Sequence, residues 1–148
     1  MIRLLLALGV ATVLAARPAG AEWASATQAE VPLDNTGGAW RVRATLDGGM
    51  TGLFLLDTGA SLCVIAPTLA RRLDLAPGGQ AQLQTANGVV TAPIVRLRTI
   101  DVGGNRAHDV LAVVHAAVPP PLDGIIGLSF LDRFTYSVDP RRRTLRLH

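Results

Sequence analysis

The 148-residue chain contains no lysine, one cysteine and six aromatic residues (three Phe, two Trp and one Tyr). A single cysteine, Cys63, excludes a disulfide within the chain. Cys63 lies in the apolar run Leu62–Ile65, which favours a buried and unreactive thiol, with an intermolecular disulfide as the alternative. Because so few aromatic side chains are available to stack on bases, we expect no nucleic-acid binding.

Positive charge is carried by arginine alone and is small over most of the chain. The chain has fourteen arginines and eleven acidic residues. Two of them, Arg3 and Arg17, lie in the first 21 residues, so twelve remain against the same eleven acids. The local excess at Arg141–Arg143, with Arg146 nearby, is typical of a solvated turn.

The chain also lacks an apolar run long enough to cross a bilayer. The longest, Leu4–Ala16, has thirteen mostly apolar residues, whereas a spanning helix needs about twenty. Arg3 before this run and Ala19-Gly20-Ala21 after it complete the pattern of a secretory signal peptide. We therefore expect export, to the periplasm or outside the cell, and no stable membrane span. The alternative is a membrane anchor formed by an uncleaved N-terminus.

These features divide the chain into three parts. Residues 1–21 are predicted to be the signal peptide, residues 22–30 a flexible N-terminal arm, and residues 31–148 one domain. Within the domain, apolar and polar residues alternate in short segments separated by turn residues, a pattern that predicts many short strands. We predict strands at 31–33, 40–46, 51–57, 80–85, 89–95, 96–102, 109–114, 123–127, 134–138 and 144–147, and short helices at 68–73 and 128–134. The predicted fold is mostly β, a small closed barrel with one or two short helices.

One stretch stands out for its chemistry. In Phe54-Leu55-Leu56-Asp57-Thr58-Gly59-Ala60-Ser61, an apolar strand runs into a turn of small residues. A carboxylate at the end of a buried strand is costly unless it is hydrogen-bonded or has a use. Thr58 supplies a hydroxyl, and Gly59 allows close backbone approach. The alternative interpretation is an ordinary aspartate that caps a turn.

From about Val31 to Leu147, the order of motifs resembles the retropepsin-like aspartic proteases, the single-domain relatives of pepsin. The chain is most similar to their exported bacterial members. Four segments carry the resemblance: Asp57-Thr58-Gly59-Ala60-Ser61 is similar to the catalytic loop, Thr85-Ala86-Asn87-Gly88 to the flap that closes over substrate, Pro119-Pro120-Pro121-Leu122 to a cleft-lining loop, and Ile125-Ile126-Gly127 to the motif that passes beneath the catalytic loop.

This resemblance implies an aspartic endopeptidase that hydrolyses extended polypeptides without a metal or cofactor. The catalytic residues would be Asp57, Thr58 and Gly59. The residues implied in substrate binding are Ala60, Ser61, Thr85, Ala86, Asn87, Gly88 and Leu122. The mechanism needs two carboxylates and the chain has one Asp-Thr-Gly, so a second copy must supply the other, which implies a homodimer.

Two positions depart from the retroviral members of the family, which have an ion pair where this chain has Ser61 and Leu128. Both charges are absent together, so no unpaired charge is left behind. The main alternative function is a catalytically silent dimer that binds extended peptides, and a third is a precursor activated by removal of residues 22–30. The histidines show no metal-ligand spacing and are interpreted as solvated or structural: His108, His115 and His148.

Overall fold

The computed structural model describes residues 30–85 and 88–148. The predictions for the signal peptide and nearly all of the N-terminal arm, and for Ala86 and Asn87, lie outside these residues. The described residues form β1 (Val31–Pro32), β2 (Arg41–Leu46), β3 (Met50–Leu56), β4 (Cys63–Ile65), α1 (Pro67–Arg72), β5 (Gly79–Thr85), β6 (Gly88–Val102), β7 (Asn105–Val114), β8 (Gly124–Ile126), α2 (Leu128–Leu131), β9 (Tyr136–Asp139) and β10 (Thr144–Leu147). Within them, no helix is both long and apolar enough to cross a membrane.

Six strands close a barrel in the order β2-β3-β8-β4-β7-β6. The barrel closes where β2 meets β6, with Thr45 opposite Asp101 and Leu46 opposite Ile100. Strand β5 continues the sheet beyond β6, and a second sheet has the order β1-β10-β9. The prediction of a mostly-β, small closed barrel with short helices is confirmed.

The alternating sequence of β2 explains how the barrel acquires its core. Val42, Ala44 and Leu46 are buried, while Arg41, Arg43 and Thr45, which alternate with them, lie on the outer face. The same alternation on other strands fills the interior with fully buried side chains, among them Phe54, Ile65, Leu97, Ile100, Ile126 and Phe130. Each large apolar side chain buried in this way stabilises the fold by about 1.5–3 kcal/mol.

Several element boundaries differ from the sequence-based prediction. Residues 89–95 and 96–102, predicted as two strands, form the single strand β6. Strand β7 begins at Asn105 and not at Asp109, because Gly103 and Gly104 alone make the turn between β6 and β7. Both glycines have positive φ, at 61° and 89°, which permits so short a connection. Helix α2 ends at Leu131, three residues before its predicted end.

Candidate active site

The loop that carries Asp57 connects two strands that pair with the same third strand. Strand β3, before the loop, pairs in parallel with β8, and Leu56 lies opposite Ile126. Strand β4, after the loop, pairs with β8 in the antiparallel sense, and Val64 lies opposite Ile125. We call this arrangement of β3, β8 and β4 the crossing. It places the Asp57 loop at the end of three hydrogen-bonded strands.

Two glycines allow the strands of the crossing to approach each other. A Cβ on Gly124 would lie 2.2 Å from the Val64 carbonyl oxygen and 2.6 Å from the Phe54 ring. A Cβ on Gly127 would lie 2.5 Å from the Leu62 oxygen and 2.6 Å from that of Ala60. These separations are shorter than any real contact of a Cβ, so neither position accepts a side chain without a backbone shift.

Hydrogen bonds on both sides of the strand fix the position of Asp57. Its N–H donates to the Ile126 carbonyl at 3.0 Å, and the preceding Leu56 N–H donates to Trp40 at 2.8 Å. The Gly59 N–H donates to Asp57 Oδ1 at 2.8 Å and so orients the carboxylate. Oδ2 has no hydrogen-bond partner among the residues that the structure describes. The side chain is half-buried, which leaves this oxygen available for chemistry.

The rest of the loop faces outwards. Thr58, Gly59 and Ser61 are exposed. Backbone hydrogen bonds from the start of α2 stabilise the loop. The Leu128 N–H donates to the Ala60 carbonyl at 2.8 Å, and the Ser129 N–H donates to the Ser61 carbonyl at 3.0 Å. Neutral backbone contacts therefore hold the segments around Ser61 and Leu128 together.

A cleft of about 560 Å³ opens beside the loop. The structure brings four of the predicted site residues together in its wall: Gly59, Ala60, Ser61 and Thr85. Residues that sequence analysis did not identify complete the wall: Leu62, Val64, Ala81, Gln82, Leu83, Gln84, Val113, His115, Ala117, Val118 and Ile125. The alternation of apolar and polar residues in β5 could have indicated that Leu83 lies in the wall. The other residues of the wall are brought together only when the barrel closes.

Four further predicted residues do not line the cleft in the described part of the chain: Asp57, Thr58, Gly88 and Leu122. Asp57 and Thr58 directly precede Gly59 in the loop beside the cleft. Gly88 begins β6, and its carbonyl accepts a hydrogen bond from the Thr85 hydroxyl at 2.8 Å. Leu122 lies in a turn that its N–H closes by donating to the Pro119 carbonyl at 3.0 Å. Ala117 and Val118, earlier in the same connection, occupy the wall instead.

Two other polar side chains near the crossing have structural roles. Asp123 Oδ2 accepts the Leu53 N–H at 2.9 Å and so ties β8 to β3. The Ser129 hydroxyl accepts the Cys63 N–H at 2.9 Å and donates to the Leu111 carbonyl at 2.8 Å. Burial raises the pKa of the Cys63 thiol above its ordinary value, in keeping with the predicted unreactive cysteine.

Other sites are less suited to chemistry. In residues 30–85 and 88–148, no three His, Cys, Asp or Glu side chains converge as metal ligands would. A larger depression, of about 650 Å³, lies on the outer face of β2 near Arg41 and Arg43, and it contains none of the predicted site residues. The cleft beside Asp57 is therefore the candidate active site.

Comparisons with known proteins agree with this geometry. The fold is similar to the crystal structure of a retropepsin-like aspartic protease from Rickettsia conorii, with a TM-score of 0.63 and 20% sequence identity over 80% of this chain and 89% of that one. No curated protein has a significant sequence match to the chain. A sequence model described as aspartyl protease matches residues 42–130, which include the Asp57 loop and the whole crossing. The chain therefore belongs to the aspartyl protease family.

Proposed function

We propose that the protein is an aspartic endopeptidase that acts as a homodimer, with one Asp57 from each copy forming the catalytic pair. The observation that carries this proposal is the environment of Asp57. Its backbone and Oδ1 are fixed by hydrogen bonds, whereas Oδ2 is without a partner in the described residues and the side chain is only half-buried. A carboxylate held in this way at the end of a buried strand, with one oxygen unpaired, costs free energy unless it has a function.

In the proposed reaction, the two carboxylates share one proton. The ionised carboxylate removes a proton from a water molecule, whose oxygen forms a bond with the scissile carbonyl carbon. The protonated carboxylate gives its proton to the carbonyl oxygen, which becomes a hydroxyl of a tetrahedral intermediate. The carboxylate that received the water proton gives it to the amide nitrogen as the C–N bond breaks, and the intermediate returns a hydroxyl proton to the other carboxylate as the new carboxylic acid forms. Both acid and base are needed, so the rate falls at high pH and at low pH. Thr58 and Gly59 would brace the paired loops and leave room for the peptide.

The exposure of the loop supports the homodimer. Thr58 and Gly59 are exposed in a single chain, where a second copy could cover them. Strand β9 (Tyr136–Asp139) ends the second sheet and pairs with β10 on one side only, as far as the described strands show. A two-fold axis between two identical loops would bring the Asp57 side chains together and make the interface the same on both copies.

The cleft supports an extended polypeptide as the substrate. Strand β5 pairs with β6 along one edge, and no other described strand pairs with β5. An extended peptide can add its own backbone hydrogen bonds to the edge of such a strand. Leu62, Leu83 and Ile125 give the cleft an apolar character. We therefore propose that the substrate carries apolar side chains at most positions next to the scissile bond. We also propose that residues 85–88 act as the flap that closes over the substrate.

We further propose that residues 1–21 direct export to the periplasm or the cell exterior, on the strength of the Arg3, Leu4–Ala16 and Ala19-Gly20-Ala21 pattern. Intact-mass measurement on fractionated cells tests this. A mature protein beginning near Glu22 outside the cytoplasm supports the proposal, and a full-length species held in the membrane contradicts it.

The variant Asp57→Asn tests the catalytic proposal. Asn keeps an oxygen to accept the Gly59 N–H, so the fold should be retained, but it cannot act as acid or base. Hydrolysis of a mixed peptide library by the purified protein should fall by about 1,000-fold or more. Near-normal turnover in this variant would rule out the catalytic pair. Peptide binding without turnover in the unmodified protein would favour the silent peptide-binding dimer.

A further inference from the structure

His115 is the one ionisable side chain in the described wall of the cleft. It directly follows β7, and its backbone N–H donates to the Ile65 carbonyl at 3.1 Å. The side chain is half-buried. Its apolar companions in the wall are Leu62, Val64, Leu83, Val113, Val118 and Ile125. Placing the polar imidazole ring in such a wall costs free energy unless the ring forms a hydrogen bond.

A hydrogen bond within the loop determines the orientation of the ring. The Ala117 N–H donates to His115 Nδ1 at 3.1 Å. A nitrogen that accepts a hydrogen bond carries no proton, so the proton of the neutral ring is on Nε2. Nε2 has no partner in the part of the chain that the structure describes. The ring is therefore held by Nδ1, and its Nε2–H, unpaired among the described residues, belongs to a residue that lines the cleft.

Given the protease function proposed above, we propose that His115 is a specificity-determining residue. Its Nε2–H donates a hydrogen bond to a side-chain oxygen of the bound polypeptide. At one position near the scissile bond, the enzyme therefore prefers glutamine over methionine, which has a similar length but no strong acceptor. An apolar side chain at that position would cover the donor and leave it unpaired, which disfavours binding.

Two variants separate this role from a structural one. In His115→Asn, the side-chain oxygen can still accept the Ala117 N–H, as asparagine does two residues before a backbone N–H in many turns, but no group reaches the position of Nε2. In His115→Gln, the longer side chain can place an amide N–H near the position of Nε2. The first variant keeps the loop contact and removes the donor, and the second keeps a donor.

The test uses pairs of peptides that differ only by Gln or Met at each position around the scissile bond, with kcat/KM measured for each. We expect the unmodified enzyme to prefer Gln by about 3- to 10-fold at one position. In His115→Asn this preference should disappear, because kcat/KM for the Gln peptide falls relative to that for the Met peptide, and His115→Gln should retain most of it. A general loss of activity on both peptides would indicate a purely structural residue and overturn the proposal. So would an absent preference in the unmodified enzyme, or one that persists in His115→Asn.

The same peptides distinguish this inference from the proposed function. If the unmodified protein cleaves neither peptide, the protease proposal fails, and the ratio of dissociation constants for Gln and Met peptides is measured instead. A Gln preference in binding that His115→Asn abolishes supports the role of His115 on its own. Equal binding of both peptides overturns it. If His115→Asn does not fold, the same ratios are measured for His115→Gln and His115→Leu, and the proposal requires the preference in the first and not in the second.

Discussion

The crossing and the strand β5 each contribute a wall to one cleft, but the two walls are held in place differently. In the crossing, β8 is hydrogen-bonded on both sides, and Phe54, Leu56 and Ile126 are buried. In β5, all seven residues are half-buried or exposed, and β6 is the one described strand that pairs with it. Packing therefore determines the position of the wall formed by the crossing, whereas the wall formed by β5 has little packing to lose and is suited to contact with the proposed substrate.

The comparison makes different predictions for substitutions in the two walls. A change in the crossing should act first on the free energy of unfolding, because the strands there touch at van der Waals distance. A change on the cleft side of β5 should act on kcat/KM with little effect on stability, because few of its atoms are buried by folding.

The largest expected effect is that of Gly124→Ala. The added Cβ would meet the Val64 carbonyl oxygen at 2.2 Å and the Phe54 ring at 2.6 Å. We expect the free energy of unfolding in urea to fall by about 3 kcal/mol or more. Gly78→Ala is the matched control, since no atom lies within 4 Å of its added Cβ, and it should change stability by about 1 kcal/mol or less. Equal effects of the two variants would show that the crossing is not tightly packed.

A smaller effect is expected for Leu83→Ala, on the β5 side of the cleft. Replacement of the isobutyl side chain by a methyl group should lower kcat/KM for a preferred peptide by about tenfold. The free energy of unfolding should change by about 1 kcal/mol or less, because Leu83 is only half-buried. Leu111→Ala, on an exposed site outside the cleft, serves as the control and should leave kcat/KM unchanged. A large loss of stability in Leu83→Ala would contradict the distinction between the walls.

The smallest effect concerns pH and Cys63, a buried residue of the crossing. Burial raises the pKa of its thiol, so the folded chain keeps this proton at a pH where the unfolded chain releases it, above about 8.5. The stability that the neutral thiol contributes is complete below that pH and decreases as the pH rises, by at most about 1.4 kcal/mol per pH unit. Urea unfolding between pH 8 and 10 should therefore depend less on pH in Cys63→Ala. If the free energy of unfolding depended on pH equally in the unmodified protein and in Cys63→Ala, Cys63 would be accessible to water in the folded chain.

Much of the fold could be predicted from local patterns. The alternation in Arg41–Leu46 identifies the buried face of β2, and the apolar run before Asp57 identifies the strand that ends at the Asp57 loop. The glycine turn at 47–49 between them places the hairpin, which forms as predicted, with Leu46 opposite Met50. Each of these features depends on residues adjacent in sequence, for which a single chain carries enough information.

The cleft wall was harder to predict because it depends on contacts between distant residues. His115 enters the wall through a backbone hydrogen bond to Ile65, fifty residues earlier in the chain. Leu122 does not line the cleft, and it lies in a turn with Pro119 that the proline run alone does not specify. The bracing of Ser61 by Ser129 uses only backbone atoms and therefore leaves no signal in the side chains.

Subunit mixing tests most directly the central claim that each active site needs Asp57 from two copies. Unmodified protein at fixed concentration is mixed with increasing Asp57→Asn protein and left to exchange subunits, and activity per unmodified chain is measured. Because mixed dimers would hold one usable carboxylate, a tenfold excess of the variant should lower that activity by about tenfold, whereas the same excess of an unrelated protein should not. Constant activity per unmodified chain at every ratio would show that one chain holds a complete site and would contradict the account.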